Sequence, residues 1–429
     1  MGTIKRNALH MLNSQVVVTF CQGLQFVVVA RAMGSGELGR LAAILAINAV
    51  LAPFSGLGLH AITTMVLARG SERAPLYYGN SLLMGLISGL VLVALALLIG
   101  PLFLGAMAKP GVIAVFGIAD FVFGFFVGAS ASVFLGLDKH RYAGRFQAML
   151  AFTRLCCALL FVALHKLGVF KGWTTLYPQI WGWFYLAGSI IAAVLVYQMT
   201  VRQIGKPRAV FRQAVHDVRA GIFFSVGIAA TSVYTDIDKA VLGRVASMEI
   251  NGAYTAAYRV VAMSYAPVRA LLNALQARFF RDGAHGVERA VRSATQMAMY
   301  AAAYCVVAGF GMKVAVPLIP WILGKSYQLS GQVLGTLAFL PLFLMLQDVF
   351  SSVLMGSGRQ HIRSLVQMIA AGLCFLLNMS MAPEFGWEGA AAATYLTQAL
   401  LAGMVGVVIW YALRAERRQM RTTALRTSS

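Results

Sequence analysis

The sequence predicts an all-α integral membrane protein, about twelve transmembrane helices in two parallel six-helix bundles around a central cleft, and three observations predict it. Of its 429 residues 59% are hydrophobic and only 11% charged, where a soluble protein carries roughly 25% charged residues. The apolar residues fall in runs of about twenty, the length an α-helix needs to cross roughly 30 Å of hydrocarbon. Pieces of the first half also recur in the second, about 213 to 220 residues on.

The first run, 11–33, follows Lys5 and Arg6. It is too long for the apolar core of a signal peptide and lacks a convincing cleavage site, so it reads as an uncleaved span. Eleven more follow at 41–62, 79–101, 111–135, 146–167, 177–199, 221–243, 252–274, 294–317, 332–355, 363–382 and 389–413. Twelve spans put both termini on one side. The tails and the segments around Arg69, Lys139, Arg208, Arg281 and Arg359 hold about 23 of the 35 Lys and Arg residues, against about 8 in the opposite connections. The positive-inside rule makes the first set, including both termini, cytoplasmic. Residues 200–220, with Gly205-Lys206-Pro207, read as a basic cytoplasmic linker between an N-terminal bundle (1–199) and a C-terminal one (221–413), with 414–429 a basic cytoplasmic tail. Trp173, Trp181, Trp183, Trp321, Trp387 and Trp410 stand at or near span ends, as interfacial Trp should.

The formal net charge of +21 would point to nucleic acid in a soluble chain. Here it is chiefly an orientation signal, and nucleic acid is not expected as a partner. Cys21, Cys156, Cys157, Cys305 and Cys374 lie in apolar stretches without zinc spacing and read as packing residues. No connection exceeds about 25 residues, which leaves no room for a soluble catalytic or nucleotide-binding domain. Gly324-Lys325-Ser326 resembles the end of a phosphate loop, but position 319, where the motif needs glycine, is Ile. No cofactor or metal is expected.

The repeat has two parts. Arg31 and Gly39 recur as Arg244 and Gly252, and Pro53 recurs as Pro267; Ser132-Val133-Phe134-Leu135-Gly136 with Lys139 is echoed by Ser352-Val353-Leu354-Met355-Gly356 with Arg359. An offset of six spans preserves direction, so the two halves are parallel repeats about an axis along the membrane normal, an architecture that serves alternating access. Gly85/Gly89 and Gly124/Gly128 read as close helix packing.

Ionisable residues inside spans are costly and are functional candidates by default. They are Asp120, Arg154, Asp236, Asp238, Lys239, Arg259, Arg269 and Asp348, four of each sign. The densest group is Tyr234 to Lys239. Asp236 and Arg259 lie at similar depths and are expected to share an ion pair or a water-filled pocket, or else to form a purely structural salt bridge. Asp236-Ile237-Asp238 spells the DxD of metal-dependent glycosyltransferases, but a metal-sugar nucleotide needs a water-exposed loop and this pair sits inside a span. Tyr254, Tyr258 and Tyr265 fall near one helical face; they line a glycan path or form a packing stripe. Arg31, Arg40 and Arg244 cluster at the outer mouth, where they attract phosphate or uronate groups or contact lipid headgroups. Asp120, Arg154, Arg269 and Asp348 serve either the pathway or structural pairing. His60 and His165 fall near span ends and read as solvated.

The segments "ARAMGSGELGRLA" after the first span and "DIDKAVLGRVASMEINGAYTAAYRVV" across spans seven and eight resemble the polysaccharide biosynthesis (Wzx-type) flippases of the multidrug/oligosaccharidyl-lipid/polysaccharide exporter superfamily, and the similarity runs over essentially the whole chain. It carries over to Arg31, Gly39, Asp236, Gly243, Gly252, Tyr254 and Arg259. The resemblance implies a bacterial inner-membrane protein, not an enzyme. It would turn an undecaprenyl-pyrophosphate-linked oligosaccharide, such as an O-antigen or exopolysaccharide repeat unit, from the cytoplasmic to the periplasmic leaflet. Its partners would be membrane lipids and the polysaccharide polymerase and chain-length proteins. The alternative is a multidrug or cation antiporter of the same superfamily, many of whose proton-coupled members carry an acidic residue in span one; residues 11–33 hold neither Asp nor Glu. A lipid II flippase would usually have fourteen spans, and a membrane-embedded polymerase or glycosyltransferase would need outer-loop catalytic residues that this chain does not offer.

Overall fold

The computed structural model describes the backbone of residues 2–105, 108–170, 172, 176–284 and 286–427, with no strand among them. The expectation for Trp173 lies outside the described residues. The helices, in order, are α1 (Gly2–Leu51), α2 (Leu59–Leu67), α3 (Ala74–Leu104), α4 (Pro110–Gly117), α5 (Phe125–Gly136), α6 (His140–Lys166), α7 (Tyr177–Ile204), α8 (Phe211–Val245), α9 (Met248–Ala284), α10 (Val287–Ala315), α11 (Leu318–Leu323), α12 (Gln328–Leu337), α13 (Leu340–Gly356) and α14 (Gln360–Thr427).

Among the described residues eight helical stretches are long and apolar enough to cross a membrane, and the pair α12 and α13, bent by 49°, makes a ninth. Two of the eight, Asn13–Leu67 and Gln360–Arg418, run for 55 and 59 residues, more than twice what one crossing requires. They break at Gly34 (φ 77°) and Gly386 (φ 59°), so each supplies two crossings and the number rises to eleven. The twelfth is α9, whose 37 residues carry Arg259 and Arg269 and are too polar for a composition test. Twelve helices therefore stand where twelve apolar runs were read.

Several spans depart from a plain α-helix. The second is interrupted at Ala52–Gly58, where Pro53 cannot donate to the helical ladder and Gly56, Leu57 and Gly58 all take left-handed conformations. Ser88 accepts the orphaned Gly56 N–H at 2.7 Å. The fourth contains a π-helical turn, Ile118–Gly124, between α4 and α5. At the equivalent depth of the tenth span the chain breaks instead, between α12 and α13.

The repeat is visible in the backbone. After α5 the N–H groups of Leu137, Asp138 and Lys139 bond to the carbonyls of Val133, Leu135 and Phe134; after α13 those of Ser357, Gly358 and Arg359 bond to Val353, Met355 and Leu354. Each donor and acceptor in one set is 220 residues from its counterpart in the other. Asp138 (φ 56°) and Gly358 (φ 74°) occupy the same left-handed position of this helix cap.

The chain divides into two compact units, residues 1–256 with 319–329, and 257–318 with 330–429. The expected linker contains the non-helical stretch Gly205–Val210, but α8 already begins at Phe211, and α8 and the first turns of α9 belong to the first unit. The core of that unit gathers Ile44, Val112, Phe116, Phe121, Phe161 and Trp181 from four spans.

Candidate functional site

In the first unit, Lys239 on α8 gathers the densest polar group. Asp236 and Lys239 are three residues apart and share a helix face. The Lys239 ammonium donates to the Thr235 carbonyl at 2.7 Å and to Asp238 Oδ1 at 3.0 Å, and lies 3.2 Å from Asp236 Oδ1. An ammonium has three donors, and all three have acceptors here. Tyr254, in the first turns of α9, donates its hydroxyl to Asp238 Oδ2 at 2.9 Å. Burying charge is tolerated when every donor and acceptor is met, and Asp238 and Lys239 are buried, at 4% and 8% side-chain exposure. Asp236, at 30%, is the accessible carboxylate of the triad.

A second cluster is built on the π-helical turn. The extra residue in that turn re-aims its side chains and directs Asp120 toward α6 and α7. Arg154 Nη2 donates to Asp120 Oδ1 at 2.8 Å and its Nε to Ser189 Oγ at 2.9 Å, with the guanidinium carbon 3.9 Å from the Tyr185 ring centroid. The Tyr185 hydroxyl donates to the same Asp120 oxygen at 2.9 Å. Asp120 and Arg154, scattered in the sequence, are thus one ion pair with a stacked and hydrogen-bonded surround.

The arginines expected at the outer mouth also lie in this unit. Arg40 pairs with Glu37 at 2.7 Å, Arg244 sits 5.5 Å from the Phe103 ring, and Arg31 is exposed. Close by in sequence are the repeat-related glycines. A β-carbon on Gly39 would stand 1.8 Å from the Met248 carbonyl oxygen, and one on Gly252 would stand 1.8 Å from the Ser35 carbonyl oxygen. Ser35 and Met248, like Gly39 and Gly252, are 213 residues apart, so the two segments meet in a locally two-fold contact. Asn251 Nδ2 adds a bond to the Gly39 carbonyl at 2.8 Å.

In the second unit, Tyr265 on α9 donates to Asp348 Oδ2 on α13 at 2.6 Å. Arg269, one turn further along α9, has its guanidinium 5.5 Å from the Tyr265 ring, and the charges of Arg269 and Arg363 both act on Asp348. Arg259 is half-buried and belongs to this unit, whereas Asp236 belongs to the first.

Tyr254, Tyr258 and Tyr265 are all buried, and two of their hydroxyls are held by carboxylates, which is a packing arrangement. His60 differs from its reading as a solvated residue: its ring lies against Phe125 at 4.2 Å between centroids, tilted by 35°, with Nδ1 3.2 Å from Ser132 Oγ. Tyr185, Ser189 and the π-helical turn were not legible, because a residue added to one turn leaves no mark on hydrophobic period. Among the described residues no group of three or more His, Cys, Asp or Glu side chains is arranged to hold a metal.

The profile of the family described as "Polysaccharide biosynthesis protein" matches residues 4–270. No curated protein matches the chain. Solved structures do. A multidrug resistance MATE family transporter of the MOP superfamily in its inward-facing conformation superposes with a TM-score of 0.73 at 16% identity, over 98% of this chain and 99% of that one. An outward-facing MATE family transporter gives 0.65 at 15% identity, over 96% of each chain. A MOP superfamily transporter from Pyrococcus furiosus Vc1, described as having a binding pocket of reverse polarity, gives 0.62 at 16% identity over 95% of each. At such identities the likeness is one of fold.

Proposed function

The chain belongs to the polysaccharide biosynthesis protein family, within the multidrug/oligosaccharidyl-lipid/polysaccharide exporter superfamily, and is a multi-pass membrane transporter; from that premise we propose that it flips an undecaprenyl-pyrophosphate-linked oligosaccharide. The O-antigen or exopolysaccharide repeat unit moves from the cytoplasmic to the periplasmic leaflet of a bacterial inner membrane, and both termini are cytoplasmic. The observation that carries the reading is the family match, which spans 267 of 429 residues from position 4 to position 270. It takes in every span that contributes to the Asp236 and Asp120 clusters.

The physical chemistry fits the task. A pyrophosphate with hydrated sugars needs a polar route through hydrocarbon, while a polyprenyl tail can stay in lipid. Intramembrane charge is expensive, so what remains accessible marks the path. Asp236 is the accessible member of its triad, and its role is to bond sugar hydroxyls, which neutral glycans offer in number. Asp238, Lys239 and Tyr254 hold it in position. Arg31 and Arg244, exposed and expected at the outer mouth, receive the anionic pyrophosphate. The remaining pathway candidates, Asp120, Arg154, Tyr258, Arg259, Tyr265, Arg269 and Asp348, stabilise the helices that carry them. Transport works by differential affinity of two states, without covalent chemistry, and delivers the glycan to the polymerase and chain-length proteins.

Deleting the gene in its native host, where no redundant transporter is present, tests this reading. Lipid-linked oligosaccharide should accumulate on the cytoplasmic leaflet. Normal exposure on the periplasmic face, together with gained sensitivity to cationic drugs, would instead make the chain an antiporter.

A further inference from the structure

Along the second half of α14 the side chains of Leu396, Leu400, Gly403 and Val407 recur at intervals of four, three and four, a single helical stripe. With Val366 on the first half of α14 and Val408, they line a groove of about 570 Å³ with almost no polar surface. The helix breaks at Gly386, and Val366 before the break lines the same groove as Val407 and Val408 after it, which sets Val366 opposite the lower part of the stripe. Leu396, Leu400 and Val407 are exposed, and a β-carbon on Gly403 would meet nothing within 4 Å. The floor of the groove is open.

Both walls become cationic at the same end. The stripe continues with the same spacing to Trp410 and Arg414, whose guanidinium lies 3.5 Å from the Trp410 ring centroid. On the opposite wall, seven residues before Val366, stands Arg359, while Arg363 donates to Met355 Sδ and acts on Asp348. Trp410 and the neighbouring Tyr411 are exposed aromatics of the kind that mark the level of the lipid headgroups. Glu416, the nearest acid on α14, is engaged elsewhere, accepting the Val287 N–H at the start of α10 at 2.9 Å. From Leu396 to Val408 the groove is about 18 Å long at 1.5 Å per residue. That is close to half of a hydrocarbon core roughly 30 Å thick. The shape is an apolar trough one leaflet deep, with arginines and an interfacial Trp at its mouth.

We infer that this groove is a binding site for an anionic glycerophospholipid of the leaflet facing the arginines, with one acyl chain along the Leu396–Val408 stripe and the phosphate at Arg414, with Arg359 on the facing wall. Guanidinium and phosphate form strong charge-assisted hydrogen bonds, and basic pockets between helices at the cytoplasmic side select anionic headgroups. The match to a single leaflet favours an acyl chain over a polyprenyl chain, which is several times longer than the trough. The site is independent of the transport path: it lies wholly within the second unit and uses none of the residues assigned to the glycan.

Native mass spectrometry of the full-length, delipidated protein tests this with three probes: palmitoyl-oleoyl phosphatidylglycerol, the matching phosphatidylcholine, and undecaprenyl phosphate. The wild type should retain one phosphatidylglycerol with at least tenfold preference over phosphatidylcholine. Gly403→Phe, which fills open space, should lose that lipid while its thermal unfolding midpoint stays at the wild-type value. Arg414→Gln should keep lipid binding but lose the headgroup preference. Unchanged retention in a folded Gly403→Phe protein, equal retention of the two phospholipids, or tighter retention of undecaprenyl phosphate would each overturn the inference.

Discussion

Lys239 is satisfied by three acceptors at once, and this decides how the residues around it divide between structure and transport. Removing one member of a buried charged group leaves the others unpaired, at about 3–5 kcal/mol. Asp238→Ala should therefore lower the thermal midpoint sharply, with transport lost as a consequence of stability. Asp236→Asn keeps an oxygen near Lys239 and alters a side chain that is 30% exposed. It should leave the midpoint within a few degrees of wild type and still cut the transport rate at least tenfold; a wild-type rate would return Asp236 to the structural residues. For the Asp120–Arg154 pair the expectation is reversed. Asp120→Ala alone should destabilise by a similar 3–5 kcal/mol, whereas Asp120→Leu with Arg154→Met, which removes both charges, should recover most of that loss, as a double-mutant cycle on thermal midpoints would show. The sequence announced that these residues were unusual, because charge inside an apolar run is visible by eye. It did not announce their partners. Asp120 and Arg154 are 34 residues apart and meet where Asp120 stands on the π-helical turn.

At the scale of elements, the contact between residues 35–39 and 248–252 joins the two repeats. Two carbonyls stand where β-carbons would have to go, and under the proposed alternating access the spans leading away from this contact are expected to separate. Gly252→Ala should push the segments apart and reduce both stability and transport, by at least the 1–3 kcal/mol typical of overpacking. A cleaner measurement uses cysteines, after replacing the five native ones. A β-carbon at Gly36 would lie 3.1 Å from Glu249 Oε1. Gly36→Cys with Glu249→Cys should cross-link on oxidation, stop transport, and restore it on reduction. Full transport by the cross-linked protein would mean that this seam never parts. The repeat itself was legible as a pattern of glycines and caps, since its determinants are local: Gly39 and Gly252 for close approach, Asp138 and Gly358 for a left-handed cap. The interruption at Ala52–Gly58 was less so. Pro53 signals a break, but the left-handed Leu57 is held by packing that no local pattern encodes.

For the whole molecule, apolar composition carried most of the fold. Twelve apolar runs match twelve helices, and the places where helix continuity hides a crossing, Gly34 and Gly386, are breaks in backbone conformation between apolar stretches. The surplus of +21 is expected to act through topology. A cysteine at Ser326 should react with a membrane-impermeant maleimide in spheroplasts, and cysteines at Lys139 or Arg359 should react only after lysis. The polar route that the proposal requires was less legible, because Tyr254, Tyr258 and Tyr265 are buried, Tyr254 and Tyr265 against carboxylates. The central claim, translocation of a lipid-linked glycan, is tested most directly in proteoliposomes containing the purified chain and a fluorescent undecaprenyl-pyrophosphate-linked oligosaccharide. A membrane-impermeant glycosidase reads the fraction exposed outside. Wild type should expose the initially protected pool within minutes and Asp236→Asn should slow this at least tenfold; a protected pool that decays no faster than in protein-free liposomes would contradict the account.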